Sequence, residues 1–126
     1  MKFYEYEYEL NGETKVLKLR LTSSDMKIVE RNTNMSLVDY VSSPTITMLT
    51  TMLRYMMRAN IPNYSEKDAD KLYDELVDAG LTMENIYLDI IMETLVVSGM
   101  MKKEELDEMK TQSQEQKEEK LKNPSK

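Results

Sequence analysis

The chain has 126 residues, of which 40% are hydrophobic, and a formal net charge of −6, which suits one compact domain with a modest core. Neither cysteine nor histidine occurs, which excludes disulfides, thiolate metal sites and a histidine general base. The acidic balance, without any basic stripe, argues against nucleic acid and against anionic membrane surfaces as partners.

The N-terminal segment predicts a β-hairpin. Residues 3–10, FYEYEYEL, alternate between apolar and acidic side chains, and residues 15–21, KVLKLRL, alternate again. Between them stands Asn11-Gly12, whose residues both tolerate positive φ. We expect one charged face and one apolar face that packs on the rest of the chain. The apolar face comprises Tyr4, Tyr6, Tyr8, Leu17, Leu19 and Leu21.

Two registers of this hairpin keep both faces consistent. A two-residue turn at Asn11-Gly12 pairs Tyr6 with Leu17, whereas a four-residue loop over residues 11–14 pairs Tyr8 with Leu17. The first register has the better turn, and the second makes more favourable cross-strand pairs. We favour the second register slightly.

Helices are predicted for most of residues 22–99, each starting at a capping residue. The helix after Pro44 is apolar around much of its circumference, and the last two helices end at Gly80 and Gly99. The predicted N-caps are Thr22 or Ser23, Ser36, Ser43, Ser65 and Thr82. The expected fold is α+β and mostly helical, with the N-terminal hairpin packed on a bundle of about four helices.

The apolar pattern ends after Met101. Residues 102–110 could continue as a frayed helix, and the remainder is polar, so we expect residues 102–126 to form a disordered, flexible tail or linker. Residues 1–101 then form the folded domain and carry the net negative charge.

The stretch MLTTMLRYMM carries methionines at i, i+4 and i+8. An ordinary core helix is the commoner explanation of such a pattern. Methionine also packs adaptably on surfaces that accept several partners, and a small body has little core with which to surround this helix. The residues that would contact a partner or another copy of the chain are Met48, Met52, Tyr55, Met56 and Met57.

Nothing in the sequence supports catalysis. The three glycines, Gly12, Gly80 and Gly99, are too far apart for a phosphate-cradling loop, and carboxylates along an extended strand do not converge on one metal ion. No apolar run is long enough to cross a bilayer, and residues 3–10 are unlike a signal peptide. We expect a cytosolic protein that is not an enzyme and that binds neither metal nor cofactor.

Four segments together resemble a known family. They are FYEYEYELNGETKVLKLRLTSSDMKIVE, SLVDYV, PTITMLTTML and LYDELVDAGLTMENIYLDIIMETLVVSGM, which span about residues 3–101. Their order resembles that of the small tail assembly chaperones of long, non-contractile-tailed phages that infect Gram-positive bacteria. The resemblance implies a non-enzymatic protein that coats the helical, aggregation-prone tape-measure protein in the host cytoplasm, associates with other copies of itself, and leaves before the virion is complete.

The resemblance also implies a second, longer protein made by programmed −1 frameshifting near the end of the gene. Leu121-Lys122-Asn123 can be encoded as TTA AAA AAC, which contains the slippery heptamer A AAA AAC. Residues 102–126 would then be a shared linker. The longer form would be a further partner and would reach the tail tube protein.

Two other classes of function stay open. One is a small acidic phage or bacterial protein that binds and regulates a host protein through its charged surface. The other is an enzyme subunit that needs a partner's active site. A very long, coiled-coil-rich gene just downstream would favour the chaperone, and an operon unrelated to virion assembly would favour the regulator.

Overall fold

A computed structural model describes the backbone of residues 1–122 and the side chains of residues 1–118. In that part of the chain two strands precede six helices. The elements are β1 (Tyr4–Leu10), β2 (Glu13–Leu19), α1 (Ser23–Thr33), α2 (Leu37–Val41), α3 (Ile46–Arg58), α4 (Glu66–Asp78), α5 (residues 83–97) and α6 (Lys103–Lys122). The α+β, mostly helical class is confirmed, with six helices instead of about four. Among these helices none is both long and apolar enough to span a bilayer.

The hairpin closes with the two-residue turn, so the four-residue loop that we favoured is wrong. Asn11 and Gly12 have φ values of 53° and 81°, as in a type I′ turn, whose twist matches that of the strands. In this register Tyr8 lies opposite Lys15, and both side chains reach Glu75 of α4. The Tyr8 hydroxyl donates a 2.9 Å hydrogen bond to Glu75 Oε2. This register keeps the cross-strand pairs Tyr6–Leu17 and Glu5–Lys18, and the contacts with α4 add to them.

The apolar face of the hairpin lies against α3, α4 and α5. Its fully buried members are Leu19 and Leu21, with Tyr8 and Leu17 nearly so and Tyr4 and Tyr6 half-buried. The Tyr4 hydroxyl donates a 2.8 Å hydrogen bond to the Asp89 carbonyl, and burial, with the nearby charges of Glu93 and Asp89, raises the pKa of Tyr4 to about 12. These contacts fix the sheet on the helices.

Most helices start where the capping pattern predicts. Thr22, Ser36, Ser65 and Thr82 are the observed N-caps, and each side chain accepts a hydrogen bond from the backbone three residues on. The predicted cap at Ser43 is wrong by two residues. The hydroxyl of Thr45 accepts from the Met48 N–H, so α3 begins at Ile46, and Pro44 lies outside the helix.

All five residues that we predicted at a partner surface are instead buried in the chain's own core. They are Met48, Met52, Tyr55, Met56 and Met57, and none exposes more than 5% of its area. β2, α4 and α5 pack around α3, so the folded chain leaves these side chains no surface to offer. The correction has a simple physical cause: α3 is apolar on several sides because it is surrounded by its own chain.

The prediction of a disordered tail over residues 102–126 is wrong for its described part. Residues 103–122 form α6, whose Leu106 is fully buried and whose Met109 packs on the core. Glutamate, lysine and glutamine favour helix, and contacts with α5 hold this helix in place. α6 therefore belongs to the same folded unit as residues 1–101. The predicted disorder of residues 123–126 lies outside the described residues.

Candidate partner-binding groove

An apolar groove of about 260 Å³ opens between α2, α5 and α6. Four methionines line it: Met92, Met100, Met101 and Met109. Val38 of α2 and Leu95 of α5 form two of its walls, and Glu105 of α6 is also part of the lining. We call this surface the methionine groove. Val38 exposes 61% of its area, so part of the lining faces solvent.

The turn after α5 places two of these methionines. Gly99 has φ 84°, the Met100 N–H donates to the Leu95 carbonyl at 2.9 Å, and the Gly99 N–H donates to the Val96 carbonyl at 3.0 Å. This pair of bonds is a Schellman motif, which brings the residue after the glycine against the helix's third-last residue. Met100 and Leu95 accordingly line the groove together.

Tyr87 joins α5 to α2 beneath the groove. Its hydroxyl donates a 2.7 Å hydrogen bond to the Val41 carbonyl at the end of α2. Both residues are buried, and burial raises the pKa of Tyr87 above its ordinary value. Tyr87 lies in the π-helical segment Ile86–Met92 of α5. A buried hydrogen bond of this kind holds the two walls at a fixed separation.

Lysines at seven-residue spacing attach α6 to α5. Lys103 Nζ lies 3.1 Å from Glu93 Oε1, Lys110 Nζ lies 2.9 Å from Glu93 Oε2, and Lys117 Nζ lies 3.1 Å from Glu84 Oε2. Every lysine among the described side chains of α6 therefore points to α5. Partly exposed pairs of this kind contribute about 0.2–1 kcal/mol each, so they orient α6 more than they stabilise it.

Glu93 is the centre of this ion-pair network. Burial alone would raise the pKa of its carboxyl, but hydrogen bonds donated by Lys110 and Lys103, together with their charges, outweigh burial and hold that pKa below 4.5. Because the folded pKa is depressed, the network contributes its full stability above about pH 4.5. That contribution is lost as pH falls through the lower, folded pKa.

We expect acid to loosen α6 before the core unfolds. At neutral pH, Glu93→Gln should weaken the docking of α6 by about 1–2 kcal/mol, because two charge-assisted hydrogen bonds are lost. It should also reduce the increase in hydrogen exchange of α6 that acid causes in the wild type. Hydrogen exchange of α6 amides between pH 3 and pH 7 measures both effects, with Glu104→Gln, an exposed change on α6, as the control. If α6 of the Glu93→Gln variant responds to acid as the wild type does, the network has no such role.

The sequence predictions named neither the groove nor its methionines. The hairpin face and the α3 methionines lie in the core, whereas the groove residues come from segments that are far apart in sequence. One signal was present: Ser98-Gly99-Met100-Met101 follows an apolar helix, which is the pattern of a Schellman turn with apolar residues beyond it.

A second, more open groove follows α4 and is acidic. Asp68, Asp74, Glu75 and Asp78 line it with Tyr64 and Lys71. Two of these carboxylates already have partners, since Glu75 accepts from Tyr8 and Lys15 and Asp68 accepts from the Ser65 N–H. In the described part of the chain no group of three or more possible metal ligands occurs. Two of the carboxylates of this groove are therefore already engaged in contacts within the chain.

Comparisons with known proteins give no further identification. No family model, curated protein or solved structure matches the chain.

Proposed function

We propose that the chain is a tail assembly chaperone of phages with long, non-contractile tails, and that its methionine groove binds helices of the tape-measure protein. One observation carries the proposal: an otherwise acidic, charged protein holds an open apolar groove lined by four methionines. Exposed apolar surface of this kind is typical of sites that bind other polypeptides. The order of sequence segments over residues 3–101 supports the choice of client.

The chemistry of the groove suits a client with many amphipathic helical turns that differ in their apolar side chains. Methionine is unbranched, flexible and polarisable, so it adapts to apolar side chains of different shapes. A tape-measure protein is a long helical rod, and its amphipathic turns would present one apolar side chain after another. Grooves of this type accept the apolar face of a helix at i, i+3 or i+4 and i+7.

The size of the groove favours weak, reversible binding by each copy. One or two large apolar side chains would contribute about 1.5–6 kcal/mol before the cost of association. Several copies bound along one rod would gain avidity, and the tail tube could still displace them as it polymerises. The proposal includes self-association of this kind, a role for a frameshifted longer form that reaches the tail tube protein, action in the host cytoplasm, and absence from the mature virion.

Solubility of the client tests the proposal. The full chain, mixed with a recombinant fragment of the tape-measure protein from the same genome, should keep that fragment in the supernatant after centrifugation. The double variant Val38→Gln with Met101→Gln should lose most of this activity, because it makes two partly exposed groove residues polar. Both positions are at the surface, so the variant should fold.

The matched control is Val16→Gln with Val77→Gln. These valines expose 49% and 46% of their area and lie outside the groove. The control should hold the client as well as the wild type does. A wild-type chain that leaves the fragment insoluble, or two double variants with equal activity, would refute the proposal.

A further inference from the structure

The charges of α6 are distributed unevenly around the helix. Its described lysines, Lys103, Lys110 and Lys117, are all turned to carboxylates of α5. The other charged side chains of α6 up to residue 118 are all acidic. Up to residue 118, α6 therefore carries six carboxylates and three lysines, and each of these lysines is in an ion pair with α5.

One of these carboxylates stands at the methionine groove. Glu105 and Met109 are four residues apart, so they share a face of α6, and both line the groove. Glu105 is exposed, and among the described lining residues it is the one charged side chain. Continuing the same face by three- and four-residue steps gives Gln112 and Gln116, which are uncharged. In the sequence Glu105 lies between the lining residues Met101 and Met109, so the negative charge of the lining stands among its methionines.

We propose that the occupant of the methionine groove is an amphipathic helix with a lysine or arginine beside its apolar face, placed to pair with Glu105. This inference rests on the proposed function and adds the chemistry of the bound segment. The apolar side chains of the partner enter between the methionines, and its cation meets the carboxylate at the rim. A rim pair of this kind selects and orients a partner more than it tightens binding.

Glu105 gives the groove a preference between partners of opposite charge. A partner helix with a cation beside its apolar face is attracted to this carboxylate. A partner with an acidic residue at that position is repelled. An exposed pair and its repulsive counterpart together should separate two such partners by roughly tenfold at low salt. The preference should shrink as salt is added.

The test uses two fluorescent peptides and the full chain. Both are 20-residue amphipathic helices with leucines on one face, and they differ only in carrying lysine or glutamate at the positions flanking that face. Fluorescence anisotropy should show roughly tenfold tighter binding of the lysine peptide to the wild type. Glu105→Lys should reverse the preference, and Glu115→Lys, an exposed change elsewhere on α6, should leave it intact.

The outcomes separate this inference from the proposed function. Equal affinity of the two peptides for the wild type, binding of neither peptide, or an unchanged preference in Glu105→Lys overturns the inference. If the wild type still keeps the tape-measure fragment soluble in those cases, the proposed function stands without it. Self-association of the chain at rising concentration is a further measurement. If both peptides inhibit it equally, a second copy of the chain occupies the groove, and the inference is also overturned.

Discussion

Met52→Asp should leave the chain largely unfolded at 25 °C. Met52 has no exposed area and lies on α3 in the centre of the core. An aspartate there must either bury an unpaired charge or take up a proton, and it also loses the packing of the methionine. The cost is on the order of 5 kcal/mol or more, which is comparable to the whole stability of a small domain. Circular dichroism melts would show the loss of the cooperative transition.

Thr47→Asp is the control for that experiment. Thr47 is exposed on the first turn of α3, where an acidic side chain interacts favourably with the helix dipole. This variant should melt within a few degrees of the wild type. A Met52→Asp variant that folds and melts like the wild type would contradict the placement of α3 in the core.

Leu106→Asp should release α6 while the rest of the chain stays folded. Leu106 is the fully buried side chain of α6. Removing a buried leucine costs about 2–5 kcal/mol, and an aspartate adds the penalty of burying a carboxyl group. The ion pairs to α5 are too weak to compensate for this loss. Amide hydrogen exchange in residues 103–118 should rise to the rate of an unstructured segment, whereas the core amides should stay protected.

Gln112→Asp provides the comparison on the same helix. Gln112 is exposed, so this change adds the same charge at the surface and leaves Leu106 in place. It should leave α6 protected. Two results would contradict the description of α6 as a peripheral helix whose docking depends mainly on Leu106. One is continued protection of α6 in Leu106→Asp, and the other is loss of the whole fold in that variant.

Local chemistry accounts for the parts of the fold that the sequence predicts well. Capping hydroxyls at Thr22, Ser36, Ser65 and Thr82 fix where helices begin, because each satisfies a backbone N–H three residues away. Asn11-Gly12 likewise specifies its own turn. Cross-strand pairs alone favour the wrong register, because the contacts of the hairpin with α4 depend on a helix that is distant in sequence.

The remaining features depend on partners that are distant in sequence. The polar composition of residues 102–118 is equally compatible with a disordered linker and with a helix that pairs with carboxylates on α5. Similarly, the period of an apolar helix does not reveal which of its sides is covered. The sequence pattern therefore places the methionines of α3 at a partner surface, whereas the partly exposed methionines of the groove lie at the turn between α5 and α6 and on α6.

The most direct test of the account is methyl NMR of the methionines during titration with a tape-measure fragment. The chain has 12 methionines, and methyl labelling would report on each of them. We predict shifts concentrated at Met92, Met100, Met101 and Met109, with the buried methyl groups of Met48, Met52 and Met56 nearly unchanged. Shifts confined to methionines outside the groove, or no shifts at saturating fragment, would contradict the claim that this groove binds the client.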